Sequence, residues 1–148
     1  MIKSNTIGIV IFRKNQEGIE YLLLHHGGTY WNFPKGGPEK GETKLQTATR
    51  ETKEETGITK IKFMDGFCSE YDYDFNTEIE GGIRQKIYRH GVFYLAEALE
   101  DKVKISDEHI DFGWFDFSTA LTRLFYQNNQ NVLKEANRFI LKGRDFML

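Results

Sequence analysis

Cysteine is almost missing from this chain: Cys68 is the only one among 148 residues. An intramolecular disulfide is therefore excluded, which suits a reducing compartment, and a cytoplasmic protein is expected. Within its strand-like run, Cys68 reads as a small core residue rather than a nucleophile. Long apolar runs are missing as well. The longest near the start, Ile7–Phe12, is far too short to cross a bilayer or act as a signal sequence. Charge of one sign is not in excess either, since 20 Lys and Arg face 22 Asp and Glu for a net −2. General nucleic-acid binding and membrane association are not expected from that balance. No repeat, linker or low-complexity segment divides the chain, so residues 1–148 are expected to form one domain with a real core.

Both prolines fall in the stretch around which the rest is organised, Phe33 to Ile58, FPKGGPEKGETKLQTATRETKEETGI. It opens as a Gly/Pro loop. Thr43 and Gln46 form a T-x-x-Q start signal, in which the hydroxyl caps the first helical turn and the amide reaches back. A helix to about Thr56 follows, and Gly57 is placed to end it in a left-handed turn. Glu51, Glu54 and Glu55 sit at i, i+3 and i+4 and so share one face of that helix. Carboxylates that close repel one another unless a cation lies between them. A hard cation such as Mg²⁺ takes oxygen ligands and usually binds substrate phosphates too. A bare E-x-x-E-E is more often a solvated acidic face. Its neighbours favour the cation: Arg50 lies one turn before Glu54, Glu42 sits in the loop before the helix, and Gly36 and Gly37 let backbone approach an anion closely.

These residues fit the Nudix box, G-x5-E-x7-R-E-U-x-E-E-x-G-U, where U is bulky and aliphatic. Gly36, Glu42, Arg50, Glu51, Glu54, Glu55, Gly57 and Ile58 match in register, and Thr52 departs from a U position without removing a metal ligand. The chain resembles a Nudix hydrolase. The resemblance implies an α/β (α+β) fold, the Nudix α/β/α sandwich, with a mixed sheet between the box helix and the C-terminal helices. Periodicity alone gives mixed α and β. W-x-F-P-K-G-G, P-E-K-G-E, I-F-R and E-Y-L-L-L extend the likeness, from about Ile7 to Leu121, to the asymmetric diadenosine tetraphosphate hydrolases. Those enzymes more often carry another residue at the position of Gly37.

The remaining pattern is strand-rich. Thr6–Phe12 and Glu20–His25 read as a hairpin around Asn15–Gly18. His25 and His26 end the second strand without a third zinc-like ligand, and His25 is expected to touch substrate if its strand borders the pocket. Trp31 and Phe33 are expected to anchor the box loop, and Lys35 to neutralise a phosphate. Lys60–Tyr73 and Ile83–Ala96 read as two strands around Gly81-Gly82. The resemblance gives Tyr73, last residue of G-F-x-x-E-x-x-Y, a base-stacking role, and stacking suits any base because each offers a π face. It gives Arg89, ahead of Val92–Ala96, a polyphosphate contact, with Arg84 and Lys86 as rivals. Ser106–His109 followed by Trp114 echoes S-x-E-H…W, which makes Glu108 a further carboxylate near the metal or the water, while His109 fixes its loop. Asp111–Phe117 reads as the last strand, Ser118 as the cap of a helix to about Phe125, and Val132–Leu141 as helical.

Taken together, the resemblance implies cations held by Glu51, Glu54, Glu55 and a backbone carbonyl near Gly36, with Mg²⁺ expected and Mn²⁺ as the alternative. Water would attack phosphorus in line, with Glu54 or Glu55 as base and Glu108 as rival, while Lys35 and Arg89 steady the phosphates. Glu42 and Arg50 would orient the helix and its acids. The implied reaction is hydrolysis of a dinucleoside polyphosphate, chiefly diadenosine tetraphosphate to ATP and AMP. Sister activities are RNA 5′-pyrophosphate removal and cleavage of a nucleoside triphosphate or nucleotide sugar; a non-catalytic nucleotide sensor is the alternative from another class. Monomer and homodimer stay open.

Overall fold

The β-branched run near the start pairs with its successor as the expected hairpin. In a computed structural model describing residues 2–100 and 102–146, β1 (Ile2–Asn15) turns back onto β2 (Gly18–Gly27). Asn15 Oδ1 closes that turn by accepting the N–H groups of Glu17 and Gly18, each at 3.0 Å. The chain continues through β3 (Tyr30–Asn32), β4 (Lys35–Gly36), α1 (Lys44–Thr56), β5 (Ile61–Phe63), β6 (Ser69–Ile79) and β7 (Ile83–Ala98). It ends in β8 (Asp111–Phe115), α2 (Phe117–Arg123) and α3 (Gln127–Phe146).

The strands form one mixed sheet. β1 runs parallel to β7, from Ile2 beside Ile87 to Phe12 beside Glu97, and every other strand pairing is antiparallel. Alternation along β1 sends Ile7, Ile9 and Ile11 to one face, where they meet Ala48 of α1, Leu22, Ile58 and Val92. Val10 and Phe12 point the other way, into a core shared with Leu133, Ala136 and Ile140 of α3. Helices thus cover both faces, the α/β/α arrangement expected. Among the described residues no helix is long and apolar enough to cross a membrane.

The box helix is built as its sequence dictates. Thr43 Oγ1 accepts from Gln46 N–H at 3.2 Å, and Gln46 Oε1 accepts from Thr43 N–H at 2.9 Å. Such a cap contributes about 0.5–2 kcal/mol. Gly57 ends the helix at φ 74° and donates its N–H to the Lys53 carbonyl at 2.9 Å. Thr52 is fully buried, and its hydroxyl donates to the Ala48 carbonyl at 2.8 Å, so the polar atom meets no unpaired cost. Trp31 and Phe33 are buried and anchor the loop before the helix, as expected.

Three local expectations need correction. Lys60–Tyr73 is not one strand: Gly66, at φ 88°, turns the chain between β5 and β6. Cys68 is exposed rather than a core residue, because Phe67 and Ser69 on either side take the inward positions. Asp116, not Ser118, caps α2, accepting from Thr119 N–H at 2.8 Å.

Candidate active site

Arg50 is the hub of the box. Its Nε donates to Glu42 at 2.7 Å, one terminal nitrogen to Glu51 at 2.9 Å and Glu54 at 3.2 Å, and the other to the Gly37 carbonyl at 2.8 Å. One planar guanidinium thereby ties the Gly-rich loop to the acidic face. Glu42 also accepts from Glu39 N–H and the Thr47 hydroxyl, and the hydrogen bonds, Arg50's first, draw its pKa down to about 2. Its charge is committed to holding the loop. Glu42 and Arg50 thus tie the loop to the helix.

The acids themselves lie in different surroundings. Glu54 is exposed, at 56% of its side chain. Glu51 packs against Gly36 so tightly that a Cβ on Gly36 would lie 2.1 Å from its carboxyl carbon, which is why the box requires glycine there. Glu55 is buried, and its Oε2 accepts the Lys35 N–H at 2.9 Å. Burial, and then the charges of Glu51 and Glu108, push Glu55 up to about 8. Burial raises Glu51 too, and Glu108 adds to that rise. Glu108, from the exposed turn before β8, therefore faces the same cluster.

Among the described residues no group of three His, Cys, Asp or Glu side chains is gathered as a formed metal centre, and Glu51 and Glu54 both pair with Arg50. The donor set nevertheless fits a hard divalent cation. It is all oxygen, it lies on one helix face beside a glycine backbone, and its like charges raise one another's proton affinity in a way a cation would relieve.

Beside the acids opens a cavity of about 520 Å³, lined by Tyr30, Lys35, Tyr71, Tyr73, Arg89 and Tyr126 among others. Tyr73 lies in a row of rings with Tyr71 and Phe75, their centroids 5.7 and 5.9 Å away. Arg89 is fixed by Ser4, its Nε donating to the hydroxyl at 3.0 Å, and lies over Phe75. Lys35 Nζ donates to Tyr30 Oη at 3.3 Å. Of the expected site residues, the structure brings Lys35, Tyr73 and Arg89 to the cavity and Glu51, Glu54, Glu55 and Gly36 to its acidic neighbour. His25 is not among the lining residues: its ring stacks on Trp31 and its Nε2 lies 2.8 Å from the Gly28 carbonyl. Arg84 and Lys86 do not line it either, and Lys86 pairs with Asp74.

Sequence reasoning missed Tyr30, Tyr126 and Asn129 as cavity residues. Tyr30 sits beside the Trp31 anchor, and Tyr126 follows α2 in a stretch with no motif. Asn129 accepts from the Tyr71 hydroxyl at 2.6 Å, a pairing of residues 58 apart that no local pattern announces.

Lys35 stands where the two halves meet, its backbone on Glu55 and its side chain in the cavity. A face that attracts a cation beside a ring-walled basic cavity is the division of labour of a metal-assisted phosphoanhydride hydrolase. The chain belongs to the NUDIX domain family, whose model matches residues 3–136. It is a Nudix hydrolase acting on pyrophosphate bonds. It is 31% identical over 145 residues to the asymmetrical bis(5′-nucleosyl)-tetraphosphatase of Sus scrofa, covering 90% of this chain and 92% of the relative. Similarity to the RNA pyrophosphohydrolase of Bartonella bacilliformis reaches 37% over 94 residues but covers 56% of this chain and 53% of the relative. A solved binary complex of the Caenorhabditis elegans Ap4A hydrolase superposes with a TM-score of 0.77 at 28% identity, covering 94% of this chain and 98% of that one.

Proposed function

We propose that this chain hydrolyses a dinucleoside polyphosphate, diadenosine tetraphosphate first, to ATP and AMP with Mg²⁺. The observation that carries the reading is the shared position of Lys35 between the box acids and the aromatic cavity. A substrate spanning both needs a flat ring at one end and several phosphates along the way. Full-length similarity to asymmetrical tetraphosphatases supports the same choice.

Glu51, Glu54 and Glu55 would hold the cation together with backbone at Gly36. Bound there, a divalent cation supplies charge neutralisation of the polyphosphate and activation of water. Tyr73 and its neighbouring rings stack on the base, and Arg89 and Lys35 bind phosphate oxygens, the guanidinium in a fork that matches two of them. The attacking water must give up a proton to a carboxylate with a free lone pair. Glu108 suits this role: it is exposed, accepts no hydrogen bond among the described residues, and its charge reaches both Glu51 and Glu55. Glu54 and Glu55, each accepting on one oxygen from Arg50 or Lys35, would be committed to the cation with the other.

Initial rates on diadenosine tetraphosphate, triphosphorylated RNA, ATP and a nucleotide sugar test the reading, with products separated by chromatography. Equal ATP and AMP from the tetraphosphate at the highest kcat/KM is the expected result. Preference for the RNA would move the substrate to the second reading, which the Bartonella bacilliformis similarity supports. Binding of nucleotide with no hydrolysis would replace both with a sensor.

A further inference from the structure

Two histidines outside the chemistry above close a circuit of contacts behind Glu55. His109 is almost fully buried, its side chain 1% exposed, and its Nε2 lies 3.5 Å from Glu55 Oε1. Its Nδ1 lies 2.8 Å from Ser106 Oγ. If the serine hydroxyl donates to Nδ1, the ring proton sits on Nε2 and faces Glu55. The other Glu55 oxygen is already taken by the Lys35 N–H. Both carboxylate oxygens thus have a neighbour, the Lys35 N–H hydrogen bond on the strand side and the His109 ring on the loop side. His26 packs edge-on against His109 at 4.6 Å and lies tilted against Tyr30 at 4.9 Å, its own Nε2 buried without a hydrogen-bond partner among the described residues. Tyr30 returns the circuit to Lys35.

The loop carrying His109 has its own anchors. Lys104 N–H donates to the Thr56 carbonyl at 2.8 Å, Ser106 N–H to the Glu55 carbonyl at 3.3 Å, and His109 N–H to the Ser106 carbonyl at 3.1 Å. The loop therefore stays docked on the end of α1 without help from the imidazole Nε2. That contact serves Glu55 rather than the loop, and contacts of this kind are often long before ligands arrive and shorten when they do.

The geometry points to His109 as the positioning residue of Glu55, with His26 as the ring that holds it edge-on. This rests on Glu55 belonging to the reacting centre. Two isosteric variants separate the atoms. In His109→Asn the amide keeps the place of Nδ1 beside Ser106 and leaves the Nε2 position empty; in His109→Gln the amide reaches the Nε2 position. Partners of metal-bound groups contribute about 10–100-fold in metal affinity or activity. His109→Asn should weaken Mn²⁺ binding, read by electron paramagnetic resonance, and lower kcat by at least about 10-fold with KM little changed. His109→Gln should restore both to within a few-fold of wild type. Rescue by Asn but not Gln, or equal loss in both with a lowered melting temperature, would make His109 a loop anchor only and overturn the inference. If His109→Asn does not fold, Ser106→Ala carries the test: freeing the ring should loosen Mn²⁺ with the same sign, and unchanged Mn²⁺ affinity would overturn the inference. A wild type that binds Mn²⁺ but leaves the tetraphosphate intact refutes the substrate reading alone, since the Mn²⁺ order of the variants still decides this one.

Discussion

Gly36→Ala separates the chemistry of the box from its stability. An alanine Cβ would lie 2.1 Å from the Glu51 carboxyl carbon and from Oε1, and 2.5 Å from Oε2. Ordinary contact begins near 3.4 Å, so the carboxyl group must retreat by about 1.3 Å. What moves is the end of a flexible side chain rather than backbone, so the overpacking costs about 1–2 kcal/mol, at the low end for such changes. The melting temperature should fall by roughly 2–8 °C. The chemistry has less tolerance: a misplacement of about 1 Å costs on the order of 10²-fold in rate, or roughly 2.7 kcal/mol of barrier. The assay is kcat/KM on diadenosine tetraphosphate at saturating Mg²⁺, paired with scanning calorimetry. A variant within threefold of wild type, with unchanged Mg²⁺ dependence, would show that Glu51 is not held at the reacting centre and refute the reasoning. Loss of the fold would refute it as well, by showing the contact to be structural.

Glu54→Gln should cut turnover by about 10²-fold or more, while its exposure leaves the melting temperature unchanged; near-normal turnover removes Glu54 from the metal site. Tyr73→Ala should raise KM with little effect on kcat, by the roughly 5–150-fold that corresponds to the loss of about 1–3 kcal/mol of stacking. An unchanged KM there places the base elsewhere. Glu42 predicts a pH dependence. Its folded pKa of about 2 lies below the ordinary 4.5, so the stabilisation it gives is fully present above pH 4.5 and is lost as pH falls toward 2. In urea unfolding, the gap between wild type and Glu42→Gln should be open at pH 6 and shrink below pH 4.5; a gap that widens in acid contradicts the Arg50 pairing.

The box was legible because its constraints are local. Capping, the left-handed Gly57 and the i, i+3, i+4 acids all act within one helix, and the structure repeats each of them. The β-branched, apolar run Thr6–Phe12 likewise announced a strand, and in the structure Ile9 and Val10 point to different cores. The cavity was only half legible. Tyr73 and Arg89 came through resemblance, whereas Tyr30, Tyr126 and Asn129 reach it through pairings between distant segments. His25 shows the limit from the other side. A histidine at a strand end carries the same sequence signal whether it faces a ligand or, as here, lies on a tryptophan. His109 was expected to hold its loop by hydrogen bonding, and its Nδ1 does lie 2.8 Å from Ser106 Oγ in that loop, while its Nε2 lies 3.5 Å from Glu55, a neighbour that no sequence pattern announced.

We propose that Glu51, Glu54 and Glu55 hold the cation on which hydrolysis depends. Calorimetric titration of Mg²⁺ into metal-stripped protein, wild type against a variant with all three changed to Gln, addresses it directly. The expected result is a stoichiometric site in the wild type that is lost in the variant, together with hydrolysis of the tetraphosphate. Mg²⁺ binding of equal affinity in both proteins would contradict it.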